Sequence, residues 1–286
     1  MRNPSALACP MDGLPLERTG NSWQCPNAHS YDIARLGYVH LLPVQNKRSR
    51  DPGDSKEMVL ARQQFLAAGF YKPIADAVCE AVRSRTDADS LIAVLDAGCG
   101  EGYYLRELQQ SGLQLHVTGL DISKWAVIAA AKPDKTVNWL VGSNANLPLL
   151  PATQDVVLCM FGFPVYAEFA RVLKEGGVLV KVDAGPDHLL ELREIIYPAI
   201  RTPGNNKAEA PAQFTALEQR SLRYTINASG QEQIARLLTM TPHLYRTSAE
   251  GRARATALTE IELTVDVRIE ILEKAHAPIT STSKQE

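Results

Sequence analysis

Residues 94–102 read Val94-Leu95-Asp96-Ala97-Gly98-Cys99-Gly100-Glu101-Gly102, an apolar run that closes in three glycines at alternate positions. The run reads as a strand, Leu91–Asp96, and the residues beyond it as a helix from about Tyr103 to Gln110. The glycines therefore stand in a strand-to-helix turn, the place where nucleotide-type ligands bind. Glycine there lets the backbone approach a ligand closely and reach torsions closed to other residues. A dinucleotide site would carry G-x-G-x-x-G, whereas here the third glycine comes one residue early and is followed by Tyr103. The alternation continues outward. Leu115–Asp121, Val137–Val141, Val156–Phe161 and Val178–Val182 read as strands, with helices expected at Ser123–Ala131 and Glu168–Lys174. Strands alternating with helices predict a parallel, doubly wound α/β sheet. Leu258–Glu273, β-branched and without helical spacing, reads as a last long strand, and Thr202–Gln213 as a polar surface loop.

The glycine spacing, with Asp96 two residues before Gly98, resembles the first motif of Rossmann-like S-adenosylmethionine (SAM) methyltransferases. That resemblance implies a cradle for the methionine end of the cofactor built from Asp96, Gly98, Gly100, Glu101, Gly102 and Tyr103. Asp121, at the end of the second strand, is then expected to accept hydrogen bonds from the ribose hydroxyls. Gly142-Ser143-Asn144-Ala145-Asn146-Leu147-Pro148 resembles the adenine-edge motif, with Ser143 where many such enzymes carry an acid and Asn144 beside it. Ala170-Arg171-Val172-Leu173-Lys174, with Gly176-Gly177 after it, resembles the turn before the fifth strand.

A chain of 286 residues with 45% hydrophobic content holds one catalytic domain of about 200 residues and a small appendage,. No stretch reads as a transmembrane span or a signal peptide, so a cytoplasmic protein is expected. Five cysteines, an odd number, then point to metal ligands and buried thiols rather than disulfides,. Near the start, Cys9-Pro10-Met11-Asp12-Gly13 has the shape of a zinc knuckle, and Cys25-Pro26-Asn27-Ala28-His29 offers a second ligand pair. Zinc takes four tetrahedral ligands, and Cys9, Asp12, Cys25 and His29 would supply them. A carboxylate in place of one thiolate keeps the charge of the site and hardens one ligand, so affinity should fall. The other reading keeps the knuckle without metal, Asp12 bonding backbone amides in a turn. A net charge of −2 excludes a global pull on nucleic acid and leaves that task to a local patch,. Lys47, Arg48 and Arg50, flanked by Arg35, His40, Lys56 and Arg62, form one, either as phosphate contacts or as a solvated linker,.

A more specific resemblance runs from Cys9 to about Tyr245. Trp23-Gln24-Cys25-Pro26, Tyr31-Asp32-Ile33-Ala34, Leu41 through Asp54, Arg62 to Gly69, Cys99 to Tyr104 and Leu238 to Pro242 together resemble the RlmA-type bacterial 23S ribosomal RNA guanine-N1 methyltransferases. The resemblance implies a zinc-finger-like RNA-binding domain over residues 1–45, a basic linker with helices over 46–88 and a SAM-dependent methyltransferase domain over 89–286. It also implies a 23S rRNA hairpin as substrate and a homodimer. Two departures stand out. The second zinc ligand is Asp12, and the family's Ala-Pro-Cys-like segment after the fourth strand is replaced by Phe161-Gly162-Phe163-Pro164. Phe161, Phe163 and Pro164 are the acceptor-loop candidates. Phe163 would either stack on an extruded guanine or fill the core at a strand end. Glu101 and Asp183 are candidate proton acceptors by position, or else solvated surface acids. Two other functions stay open at this point: a small-molecule SAM methyltransferase, and a non-catalytic RNA-binding relative.

Overall fold

Turn-rich sequence before residue 46 gives only short strands in a computed structural model, which describes residues 6–46, 49, 51–87, 89–198, 200, 210–241 and 248–275. Strands β1 (Glu17–Thr19), β2 (Ser22–Gln24) and β3 (Ser30–Asp32) form an antiparallel sheet of their own. Strand β4 (Tyr38–His40) leaves it and joins the main sheet. Helix α1 (Lys56–Ala67) starts at Ser55, whose hydroxyl accepts from the Met58 amide at 3.3 Å, and helix α2 (Lys72–Arg83) follows.

The expected alternation then appears as β5 (Ile92–Ala97), α3 (Tyr103–Gln109), β6 (Leu115–Asp121), α4 (Lys124–Ala131), β7 (Asn138–Val141), β8 (Gln154–Met160), α5 (Tyr166–Val172) and β9 (Leu173–Ala184). Beyond it come α6 (Leu190–Ile196), β10 (Phe214–Ser229), α7 (Gln231–Met240), α8 (Ala249–Thr256) and β11 (Glu260–Lys274). The main sheet runs β10-β11-β9-β8-β5-β6-β7-β4. It is mixed rather than all parallel, because β11 pairs antiparallel with both β9 and β10. Strand β10 was not expected at all. Its middle residues alternate between exposed and half-buried, with Phe214, Ile226 and Ala228 buried nearer its ends, and an edge strand needs no continuous apolar run,.

Side chains alternate across the sheet, so each strand feeds two cores. One joins Val94, Val156 and Val180 to α2, α3 and α4. The other joins Leu95, Leu120, Leu140, Val157 and Leu179 to Phe169 of α5 and to Leu7, Leu16 and Leu41 of the N-terminal unit. The segment 142–153 between β7 and β8 holds no helix, and the N-terminal unit covers the face left bare there. Main-chain bonds seal this seam. Ala8 donates to Pro148 at 2.9 Å, Leu150 to Ala6 at 2.8 Å and Leu41 to Val141 at 2.8 Å. Strand β4 lies parallel to β7, Tyr38 opposite Trp139 and His40 opposite Val141. Each fully buried leucine in this face adds about 1.5–3 kcal/mol. Among the described residues no helix is long and apolar enough to cross a membrane.

Trp139 fixes the packing of β5, β6 and the glycine loop on the other face. It is fully buried, and its indole N–H donates to the Asp134 carbonyl at 2.7 Å. A β-carbon on Gly102 would lie 2.5 Å from its ring and one on Gly119 2.3 Å. Gly119→Ala should therefore cost about 1–3 kcal/mol in denaturant unfolding, the range for overpacking a filled core. Trp139→Leu, combined with it, should return part of that loss. Strictly additive losses would show that the ring does not set this spacing.

Candidate active site and metal centre

Two knuckles present the N-terminal ligands. Gly13 at φ 75° donates back to the Cys9 carbonyl at 2.8 Å, and Ala28 at φ 64° to the Cys25 carbonyl at 2.9 Å. They bring the ligand atoms of Cys9, Asp12, Cys25 and His29 within 4.8 Å of one another. His29 Nδ1 lies 3.5 Å from Cys9 Sγ, 3.3 Å from Cys25 Sγ and 3.1 Å from Asp12 Oδ2, and Cys25 Sγ lies 3.4 Å from the same carboxylate oxygen. Bonds of about 2.0–2.3 Å to a tetrahedral zinc ion place such ligand atoms about 3.3–3.8 Å apart, so the set fits the ion. Asp12 divides its two oxygens: Oδ1 accepts from the Leu14 amide at 3.1 Å, and Oδ2 faces the cluster with Asn27 at 3.0 Å. The turn bond and an oxygen turned to the cluster, separate alternatives in the sequence, coexist on one side chain. Loss of water, aided by Asp12 and Cys9, raises the Cys25 thiol above its ordinary value. A divalent ion reverses that by favouring the thiolate.

The glycine loop sits where β5 ends. Gly98 and Cys99 donate to the Leu120 carbonyl at 2.8 and 2.9 Å, which pins the loop to β6. Gly98 (φ 103°) and Gly100 (φ 56°) hold left-handed torsions, and a β-carbon on Gly98 would meet nothing within 4 Å. The backbone thus faces open space there. Around it stand buried acids. Asp96 is fully buried with neither carboxylate oxygen partnered, and Glu101 Oε1 is likewise unpartnered. Burial, followed by the nearby Asp121 and Glu101, pushes Asp96 up to about 8. Asp121 accepts from Gly100 N at 2.9 Å and from Ser123 N at 2.7 Å. Asn144 donates to the Ala97 carbonyl at 3.2 Å, and its Oδ1 is buried without a partner. A ligand with ammonium, sulfonium, hydroxyl and amino groups would satisfy these atoms, which is the chemistry of SAM.

At the carboxyl end of β8, Phe161 takes φ 53° and its amide donates to Val182 at 2.8 Å. Its ring stacks on Tyr71 at 5.8 Å and leans on His188 at 5.7 Å. Tyr71 Oη lies 2.9 Å from His188 Nε2, and the Asp266 amide donates to His188 Nδ1 at 3.3 Å. A donor at Nδ1 places the proton of a neutral ring on Nε2, so Tyr71 accepts there.

Residues 94–177 match a methyltransferase domain, and residues 7–50 match the N-terminal zinc ribbon described as RlmA, N-terminal. Across the chain, a protein of Bacillus subtilis (strain 168) named "Putative 23S rRNA (guanine-N(1)-)-methyltransferase" is 32% identical over 93% of this chain and 96% of its own length. A protein of Micromonospora griseorubida with the same description is 32% identical over 92% and 95%. The 23S rRNA (guanine(748)-N(1))-methyltransferase of Streptomyces fradiae is 29% identical over 88% and 90%. The chain belongs to the RlmA-type 23S rRNA (guanine-N1)-methyltransferase family.

In this RlmA-type chain the structure gathers Asp96, Gly98, Gly100, Glu101, Gly102, Tyr103, Asp121 and Asn144 around the turn after β5, with Ser143 spending its hydroxyl on the Ala145 amide at 3.2 Å. Glu101 is no surface acid: it is 2% exposed and bound by Arg106 at 2.9 Å. Asp183, the other proton-acceptor candidate, is paired with Lys181 at 2.6 Å. Phe163 is 91% exposed, which excludes the core reading, while Phe161 is the ring that packs. Pro164 is half-buried beside it. Lys47, Arg48 and Arg50 lie outside the described residues. Arg62, read in sequence as part of the basic patch, turns inward from α1 and pairs with Asp54 beneath the loop. The Tyr71–His188 pair was missed because its members lie 117 residues apart.

Two outcomes are expected from these geometries. An RlmA-type protein with Asp12→Ala should lose more zinc affinity in chelator competition than the roughly 10–100-fold cost of losing an outer-shell partner, and Asp12→Cys should gain affinity; equal zinc content in all three proteins would reject the four-ligand set. For Asp96, the raised carboxyl destabilises the fold progressively as pH climbs from its usual range of about 4 towards its folded value of about 8. Above that pH, Asp96→Asn should therefore melt higher than the parent without ligand, and gain less from added SAM. A variant that melts lower and binds SAM equally would contradict the unpartnered acid.

Proposed function

We propose that this protein methylates N1 of a guanine in a 23S ribosomal RNA hairpin, using SAM held at the turn after β5 and a zinc ribbon that helps grip the RNA. What supports the reading most is that relatives carrying this activity in their names align over both the ribbon and the catalytic sheet, along 90–96% of their own lengths.

SAM supplies an electrophilic methyl group on a sulfonium sulfur. In this reading Gly98 and Gly100 keep side chains out of its path, and Gly102 and Tyr103 shape the turn into α3. Asp96 and Glu101 face the positive end of the ligand. Asp121 keeps a second lone pair on each oxygen for the ribose hydroxyls, and Ser143 and Asn144 border the adenine. The chain's task is alignment of nucleophile, carbon and leaving sulfur, since the donor is already reactive. Phe161, Phe163 and Pro164 form the acceptor side, at the carboxyl end of the sheet where ligands of open α/β folds bind. Phe163 is the exposed ring for an extruded base, and Phe161 is its buttress against Tyr71 and His188. The N1 proton must leave as the methyl group arrives, to a base or to water; Glu101 and Asp183, the candidate acceptors, are each paired with a basic side chain. Cys9, Asp12, Cys25 and His29 hold the zinc, and Lys47, Arg48 and Arg50 contact phosphates, giving affinity without base reading. The family resemblance also carries a cytoplasmic homodimer.

The purified protein should transfer a labelled methyl group to 23S rRNA lacking the modification, with 1-methylguanosine as the product by mass spectrometry. Stacking on aromatic side chains contributes about 1–3 kcal/mol per base. Phe163→Ala should accordingly lower kcat/KM for RNA about 10- to 100-fold while SAM affinity stays level. SAM binding without any incorporation into rRNA would overturn the assignment of substrate.

A further inference from the structure

The turn after β5 is short of positive charge for the ligand it is read to bind. Asp96 and Glu101 suit the ammonium and sulfonium of SAM and Asp121 stands beside them at the ribose, yet the same methionyl end carries a carboxylate that these acids repel. Arg106 is spent on Glu101, one terminal nitrogen 2.5 Å from its carbonyl and the other 2.9 Å from its carboxylate. Arg62 is placed differently. It projects from α1, in the middle of the helix, and a β-carbon built on Gly100 would meet its guanidinium at 3.9 Å. Its charge draws down both Glu101 and Asp121, so it lies within electrostatic reach of the two sides of the turn. Two groups hold it there: the Asp54 carboxylate on one terminal nitrogen, and the Met240 carbonyl at 3.2 Å on the other. The fork keeps further N–H groups beyond these two bonds. Its side chain is 30% exposed, so it is half-withdrawn from water and still open on one side.

We propose that Arg62 binds the carboxylate of the methionyl end of SAM, with Asp54 and the carboxyl end of α7 as the brackets that aim it. The proposal rests on the reading of this turn as the SAM site. It gives α1 a direct part in ligand binding, although α1 precedes the catalytic strands. A planar fork suits a carboxylate better than a lysine ammonium does, because it can donate two parallel bonds.

The test compares SAM with decarboxylated SAM, which keeps the sulfonium, the amine and the nucleoside, by titration calorimetry on the intact protein. The parent should prefer SAM by about 10- to 100-fold, the value of a hydrogen bond to a charged group. Arg62→Met should bring the two ligands within about threefold by weakening SAM alone, and Arg62→Lys should restore part of the preference. The ratio is insensitive to a misfolded fraction, which would reduce both affinities together. An unchanged ratio in Arg62→Met, or a parent without preference that still binds SAM, overturns the role of Arg62 and leaves the SAM site standing. A parent that binds neither ligand removes the SAM reading and this role with it.

Discussion

The seam between the zinc ribbon and the catalytic sheet is the constraint on which the rest of the structure depends. A sheet buries two faces, and the face beside β6 and β7 has no helix over it, because residues 142–153 form turns. The ribbon takes that place. Leu7, Leu16 and Leu41 fill the core there, and β4 extends the sheet beyond β7. The small N-terminal unit does not hang on a flexible tether but is packed into the core of the catalytic sheet. The segment carrying Ser143 and Asn144 is therefore fastened on one side to the glycine loop, through Asn144 and Ala97, and on the other to the metal knuckle, through Pro148 and Ala8.

From that arrangement follows the economy of the site. Unpartnered acids at strand ends are costly in a ligand-free protein, and Asp96 has neither of its oxygens satisfied,. The fold tolerates this because β5 is held on both sides by paired strands and below by Trp139 packed onto Gly102 and Gly119. On the acceptor side, Phe161 holds a left-handed torsion that few large side chains adopt, and its stacking on Tyr71 and His188 offsets that strain,. Rigid packing around an open, acidic and aromatic mouth gives a surface organised before its ligands arrive.

Much of this was legible in the sequence, for local reasons. The glycine spacing and the ends of β5 and β6 are short-range signals, and each appears where expected. The clustering of the four knuckle side chains was legible too, because their spacing is itself local. What escaped was long-range or polar. Strand β10 reads Glu218-Gln219-Arg220-Ser221 in its first half, a polar run that hides the alternation of Leu222, Tyr224, Ile226 and Ala228 beyond it, and its pairing with β11 joins the two halves. The pairing of β4 with β7 joins residues about a hundred positions apart, which no window along the chain can see. Arg62 stands near a basic stretch in sequence, but α1 directs it towards Gly100. Nor could spacing tell that Phe161 packs while Phe163, two residues on, stands in solvent.

If the ribbon and the sheet are one unit, removing the metal must be felt at the methyl-donor site. The most direct measurement is amide hydrogen exchange at Leu41 and Leu150, whose N–H groups cross the seam to Val141 and Ala6, with SAM affinity recorded on the same samples before and after zinc is chelated. The account predicts faster exchange at both amides and weaker SAM binding once the metal is withdrawn. Exchange confined to the knuckles, with the seam amides still protected and SAM bound as tightly as before, would contradict it.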